Sequence, residues 1–97
     1  MNGFSLLEKW YASQCDALWE HGSGIDIDTL DNPGWRLKIN IRGTKAEGKK
    51  LELVKLDRTE NDWIHRWADG LQFDAACGPL NLSEAIQLFV DWFEKQN

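Results

Sequence analysis

Four residues of this 97-residue chain could ligate a metal or carry nucleophilic chemistry: Cys15, His21, His65 and Cys77. Two cysteines with two histidines make a zinc set by type. Their spacing argues against one, because no C-x-x-C or H-x-x-x-H pair occurs and Cys15 falls on an apolar helix arc. A cysteine nucleophile with a histidine base and a carboxylate orienter needs one of each, and Cys15, His21 and Asp31 satisfy that by type alone. Any chain with two cysteines and two histidines yields such a trio. The carboxylate pairs Asp26/Asp28 and Asp57/Asp62 read more simply as outward strand residues and loop ends. Neither a phosphate-cradling glycine loop nor a nucleotide fingerprint is present. We therefore expect no enzyme, no metal and no cofactor, and two reduced, buried thiols in a cytoplasmic protein.

Composition points to binding instead. Hydrophobic content of 42% with 28% charged residues suits one small globular domain over residues 1–97. No secretory signal and no bilayer-spanning apolar run is visible. Six tryptophans are unusual at this length, since each can bury ~150–250 Å² in a core or at an interface. Net charge is −5, which disfavours nucleic acid as the direct ligand. Residues 36–50 hold six bases against Glu47, a local +5, so the rest carries −10. An acidic body of this kind suits a basic protein partner; acidity that merely keeps the chain soluble is the alternative.

The elements that position these groups follow from periodicity. Phe4 to His21 reads as one amphipathic helix with Phe4, Leu6, Leu7, Trp10, Tyr11, Cys15, Ala17 and Leu18 on its apolar arc. Gln14 falls inside that arc, so it is expected to be buried and hydrogen-bonded to backbone. Gly22 and Gly24 end the helix. Residues 25–29 and 35–41 alternate strictly about the breaker Asn32-Pro33-Gly34. Inward residues are odd-numbered on both sides, which demands an odd loop. Pairing Asp31 with Trp35 gives three loop residues and sets Asp28 opposite Lys38; a five-residue loop is the rival. Leu51, Leu53 and Leu56 mark a third strand, with a bulge or a twist at the parity break between Leu53 and Leu56. Strands over 62–68 and 71–77 join around Asp69-Gly70. Leu82 to Gln96 is a second amphipathic helix, with Asn81 and Glu84 as a capping box.

The short connections predict an α+β fold of order α-β-β-β-β-β-α: an antiparallel five-stranded meander sheet with two helices packed on one face. In the fourth strand Trp63, His65 and Trp67 share one face and Ile64, Arg66 and Ala68 the other. A two-residue Asp69-Gly70 turn exposes the tryptophans, whereas a three-residue loop with Gly70 in a bulge buries them. Exposing two tryptophans forfeits several kcal/mol at ~25 cal/mol per Å², and Arg66 facing inward adds a charge cost. We expect the tryptophans inside.

A set of local sequences in fixed order carries a family resemblance. It comprises Trp10-Tyr11, Ser13-Gln14-Cys15-Asp16, Trp19-Glu20-His21, Gly24, Leu30-Asp31-Asn32-Pro33-Gly34-Trp35, Gly43-Thr44, Glu60-Asn61-Asp62-Trp63-Ile64, Gly78-Pro79 and Asn81-Leu82. In this it resembles the immunity protein 53 family of bacterial polymorphic-toxin systems. Ala17-Leu18 stands where a glycine is expected, and Cys77 where a second glycine is usual. The resemblance implies an intracellular antidote that binds and occludes a cognate toxin domain without catalysis, a basic nuclease being one candidate. The acidic balance and the lack of a spanning apolar run lead us to expect no nucleic-acid or membrane partner, and we expect a monomer or weak homodimer. With the helix arcs reserved for the core, contact is expected on the outer sheet face and its rim: Asp26, Asp28, Asp31, Asn32, Asp62 and Asp74. Trp35 is the expected anchor if exposed, and otherwise a core residue starting the second strand.

Overall fold

The first helix is shorter than its apolar arc suggests. A computed structural model describes residues 3–16, 19–22 and 24–96, with the side chains of Glu20 and His21 outside the described set. In it α1 (Gly3–Gln14) ends before the one-turn helix α2 (Trp19–Gly22). Local side chains make the break. Ser13 Oγ donates to the Trp10 carbonyl at 2.6 Å, Cys15 Sγ donates to that of Tyr11 at 3.3 Å, and the Asp16 carboxylate accepts the Trp19 N–H at 2.9 Å. Short polar side chains thus compete with the helix ladder and cap the next turn. Gln14, at the very end, is half-buried and among the described residues donates to Ser13 Oγ alone, so the expected buried, backbone-bonded amide is not found there. Cys15 is exposed and only Cys77 is buried, which corrects the expectation of two buried thiols.

Five strands follow: β1 (Ile25–Leu30), β2 (Gly34–Asn40), β3 (Lys50–Thr59), β4 (Asp62–Asp69) and β5 (Gln72–Cys77). All pairings are antiparallel, in the order β1-β2-β5-β4-β3. The β1–β2 hairpin and the β3-β4-β5 run follow chain order, but β2 pairs with β5 rather than with β3. Residues 41–49 cross three strand spacings, roughly 14 Å at about 4.8 Å each. Bonds from Ile41 N–H to Leu71 O and from Gly48 N–H to Gly70 O pin that crossing to the β4–β5 turn. The β1–β2 loop has three residues, as expected, but is Asp31-Asn32-Pro33, closed by Leu30 opposite Gly34. Parity survives; Asp28 now faces Arg36 and Asp26 faces Lys38. The irregularity expected between Leu53 and Leu56 falls earlier, as a register shift between Leu51 and Val54, and a second shift lies between Asp57 and Thr59.

Odd-numbered residues of β1 and β2 and the Phe73/Ala75/Cys77 set face the helices. Leu37, Ile39, Ile64, Phe73, Ala75 and Cys77 meet Leu7 and Trp10 of α1 and Ala85, Ile86, Phe89 and Phe93 of α3 (Leu82–Glu94). The two long helices run side by side in the same direction. Gly3 N–H donates to Ser83 Oγ where both begin, and Trp10 stands edge-on to Phe89 and Phe93 a few turns on, at 4.9 and 5.3 Å. Trp19 closes the end of this cluster against Trp10 at 5.6 Å. Asn81 does not form the expected capping box. Its amide spans to β4 instead, accepting the Trp63 N–H and donating to Asp62 Oδ1.

The tryptophans of β4 face outward, opposite to expectation. Ala68 pairs with Phe73, so Ile64 and Ala68 join the core face while Trp63, His65 and Trp67 take the other. The Asp69 carboxylate sets this register by accepting the N–H groups of both Leu71 and Gln72 at 2.9 Å, with Gly70 at φ +97°. The inward Arg66 escapes the expected charge cost because α3 packs over β2 and β5, leaving Arg66 half-buried rather than sealed.

Candidate functional site

The sheet face turned away from both long helices carries a band of aromatic and charged side chains. Alternation in β4 puts Trp63, His65 and Trp67 in a row, each half-buried. Neighbouring strands supply their partners. Arg36 of β2 reaches across to Asp74 of β5, with Nη2 2.7 Å from Oδ1. Its guanidinium carbon lies 5.0 Å from the centre of the Trp67 ring, in cation–π range. Gln72 Nε2 donates to the same Asp74 oxygen at 2.9 Å. Asp74 is only 4% exposed although it lies on the outer face; the stacked Arg36 and Trp67 cover it. Further along, His65 Nε2 lies 2.7 Å from Asp57 Oδ1 of β3, and the Trp63 and His65 rings are 5.0 Å apart. A shallow depression of about 400 Å³ opens beside Trp67, lined by Leu51 and Leu53. Leu53, by the β3 bulge, is exposed.

The expected contact residues divide among three places. Asp26 and Asp28 are exposed on the outer face of β1, and Asp74 sits on the same face but beneath Arg36. A polar cleft of about 330 Å³ joins Asp26 to Lys38, Asn40 and Gln72. Asp31 and Asn32 are exposed at the tip of the β1–β2 loop. Trp35 takes its alternative role: it is half-buried on the helix side, packed against the core, with Nε1 donating to the Pro79 carbonyl at 3.0 Å. Asp62 lies at the corner where α3 begins, held by Arg58 and the Asn81 amide. Those two bonds lower its pKa below the ordinary carboxylate range, and the Arg58 bonds do the same for Glu84.

Sequence reasoning places Trp63 and Trp67 inside, and it puts Arg36 on the outer face without naming it as a contact residue. Arg66, a charged residue in the opposite parity to the tryptophans, was read as a reason to turn them inward. The signal that could have placed them is Asp69, whose carboxylate suits closure of a tight turn.

Among the described residues, the groups weighed for chemistry do not converge. Cys77 is in the core, where burial pushes its thiol up to about 11, while His65 stands on the opposite face of the sheet. Among the described residues no three metal-ligating side chains cluster. The side chain of His21 lies outside the described set. No helix among the described residues is long and apolar enough to cross a membrane.

The fold thus defines a two-layer α+β protein, with an open antiparallel sheet covered by helices on one face and bare on the other. The chain belongs to the immunity protein 53 family, whose family model matches residues 4–94. No curated protein and no solved structure matches it.

Proposed function

We propose that this protein neutralises a cognate polymorphic-toxin domain by direct, stoichiometric binding and occlusion, without catalysis or cofactor. The observation that carries this reading is family membership across residues 4–94. The outer sheet face supports it, because half-buried tryptophans beside an arginine are the residue types that dominate protein interfaces. We assign the contact to Trp63, Trp67 and Arg36, with Asp28 next to Arg36 and Asp26 farther along the same face, and Asp31 and Asn32 at the rim. Asp74 contributes by holding Arg36, and Asp62 by fixing the corner at the start of α3. A net charge of −5 favours a basic toxin, such as a nuclease, over nucleic acid itself. The protein acts in the bacterial cytoplasm, as a monomer or weak homodimer.

The test is co-expression with the toxin domain encoded beside it, followed by a pull-down and a growth assay. Protection with one-to-one recovery is the expected result. The Trp63→Ala/Trp67→Ala double variant should stay folded and lose protection. No binding to, and no protection from, a toxin encoded alongside would overturn the reading.

A further inference from the structure

Among the described residues, β1 closes one side of the sheet with no strand beside it. The phase of its ladder follows from one bond. Asn40 N–H donates to the Gly24 carbonyl, so even-numbered residues of β1 exchange bonds with β2. The N–H and C=O groups of Ile25, Ile27 and Thr29 therefore point away from the sheet. On the helix side of the same strand, Ile27 lines an apolar groove of about 320 Å³ with Phe4, Trp35, Pro79 and Leu80. Phe4 is 49% and Leu80 94% exposed. On the other side stand the exposed carboxylates of Asp26 and Asp28. Arg36, the cross-strand neighbour of Asp28, is turned to Asp74 instead.

The opposite edge differs. β3 is broken by two register shifts and carries Lys50, Glu52, Lys55 and Asp57 along its length, both of which discourage pairing. The register of β1 is unbroken over its six residues. A second copy of this chain fits poorly there. Antiparallel pairing about Ile27 sets Asp26 against Asp28 twice, and like charges directly opposite are destabilising.

We infer that β1 accepts an added strand from the toxin domain, and that this strand alternates apolar side chains with lysine or arginine. The inference rests on the function proposed above. The incoming backbone bonds the free groups of Ile25, Ile27 and Thr29. Its apolar side chains enter the groove beside Ile27 and Phe4, and its basic ones meet Asp26 and Asp28. This extends the outer face by one strand.

Residue-resolved hydrogen exchange of the unsubstituted protein, alone and with the toxin domain encoded beside it, tests the inference. The amides of Ile25, Ile27 and Thr29 should exchange freely alone and slow at least about tenfold in the complex, as edge groups gaining partners do. Asp26→Lys/Asp28→Lys should weaken binding at least about tenfold at low salt, chiefly through the association rate. Glu52→Lys/Glu60→Lys, with the same change in net charge, should leave affinity within about twofold if the site is local. Binding without protection of those three amides, or equal losses from both charge reversals, overturns this inference and leaves the proposed function standing. No binding at all overturns both.

Discussion

Arg58 grips Glu84 with two hydrogen bonds, of 3.0 and 2.6 Å, and the same guanidinium holds Asp62 at 2.7 Å. One side chain from β3 thereby ties the start of β4 to the first turn of α3. All three groups are partly open to solvent, so the cluster fixes geometry more than it adds stability. Its protonation behaviour is nevertheless measurable.

Asp62 and Glu84 are held below the ordinary carboxylate range by Arg58, and Asp69 by the N–H groups of Leu71 and Gln72. Each is more acidic folded than unfolded. Their stabilisation is therefore complete above that range and is lost as pH falls through it, around pH 4 and below. Urea midpoints should fall across that interval, and Arg58→Ala should flatten the fall. An unchanged acid profile in the variant would show that Arg58 does not hold these carboxylates.

Two tryptophans should separate stability from binding. Trp10 is buried among Trp19, Phe89 and Phe93, and Trp10→Ala should cost ~3–5 kcal/mol. Trp67 is half-buried on the outer face, so Trp67→Ala should cost about 1–2 kcal/mol, from partial burial and the lost Arg36 contact. Chemical denaturation of both variants checks the order. Equal losses would place Trp67 among the core residues.

Gly34 and Gly78 sit where backbones meet. A Cβ at Gly34 would strike the Cys77 carbonyl oxygen, and one at Gly78 the Asn61 carbonyl oxygen. Each alanine variant should lose ~1–3 kcal/mol or more to overpacking, because a carbonyl cannot swing aside as a side chain can. Gly22→Ala, with nothing within 4 Å, is the control and should be near neutral. Thermal melts of the three variants decide this.

The thiols should also differ. A thiol reagent at pH 8 should label Cys15, which is exposed, and leave Cys77, which is buried with its pKa raised to about 11. One equivalent should react in the native protein and a second only on unfolding, since the thiolate is the nucleophile. Two equivalents reacting with native protein would mean that β5 opens readily.

What the sequence disclosed was local parity. Alternation in Ile25–Thr29 and Trp35–Ile41 placed the inward residues correctly, and the parity break in β3 signalled an irregularity that lies between Leu51 and Val54 rather than between Leu53 and Leu56. What it concealed depended on side chains acting outside the hydrophobic pattern. Asp16 starts a second helix although Leu18 and Trp19 prolong the apolar arc, and Asp69 closes a turn in a register that apolar burial alone disfavours. Strand neighbours were equally hidden, because periodicity states which way a residue faces and not which strand lies beside it. Of the expected contact residues, Asp26, Asp28, Asp31 and Asn32 are exposed. Asp74 is covered, because pairing with Lys38 on one side and Trp67 on the other sets it between long side chains.

The contact between Gly3 and Ser83 spans eighty residues, and it governs when this molecule can exist. Phe89, Ile86 and Phe93 are synthesised long after Trp10, yet they fill the centre of the core against it. The apolar side of the sheet therefore lacks its main cover until α3 has left the ribosome, and closure must await contacts of the longest range. A chain cut short before residue 82 would keep α1 but lose α3, the helix that packs over β2 and β5. It would be prey to proteases and aggregation rather than a weaker version of the whole.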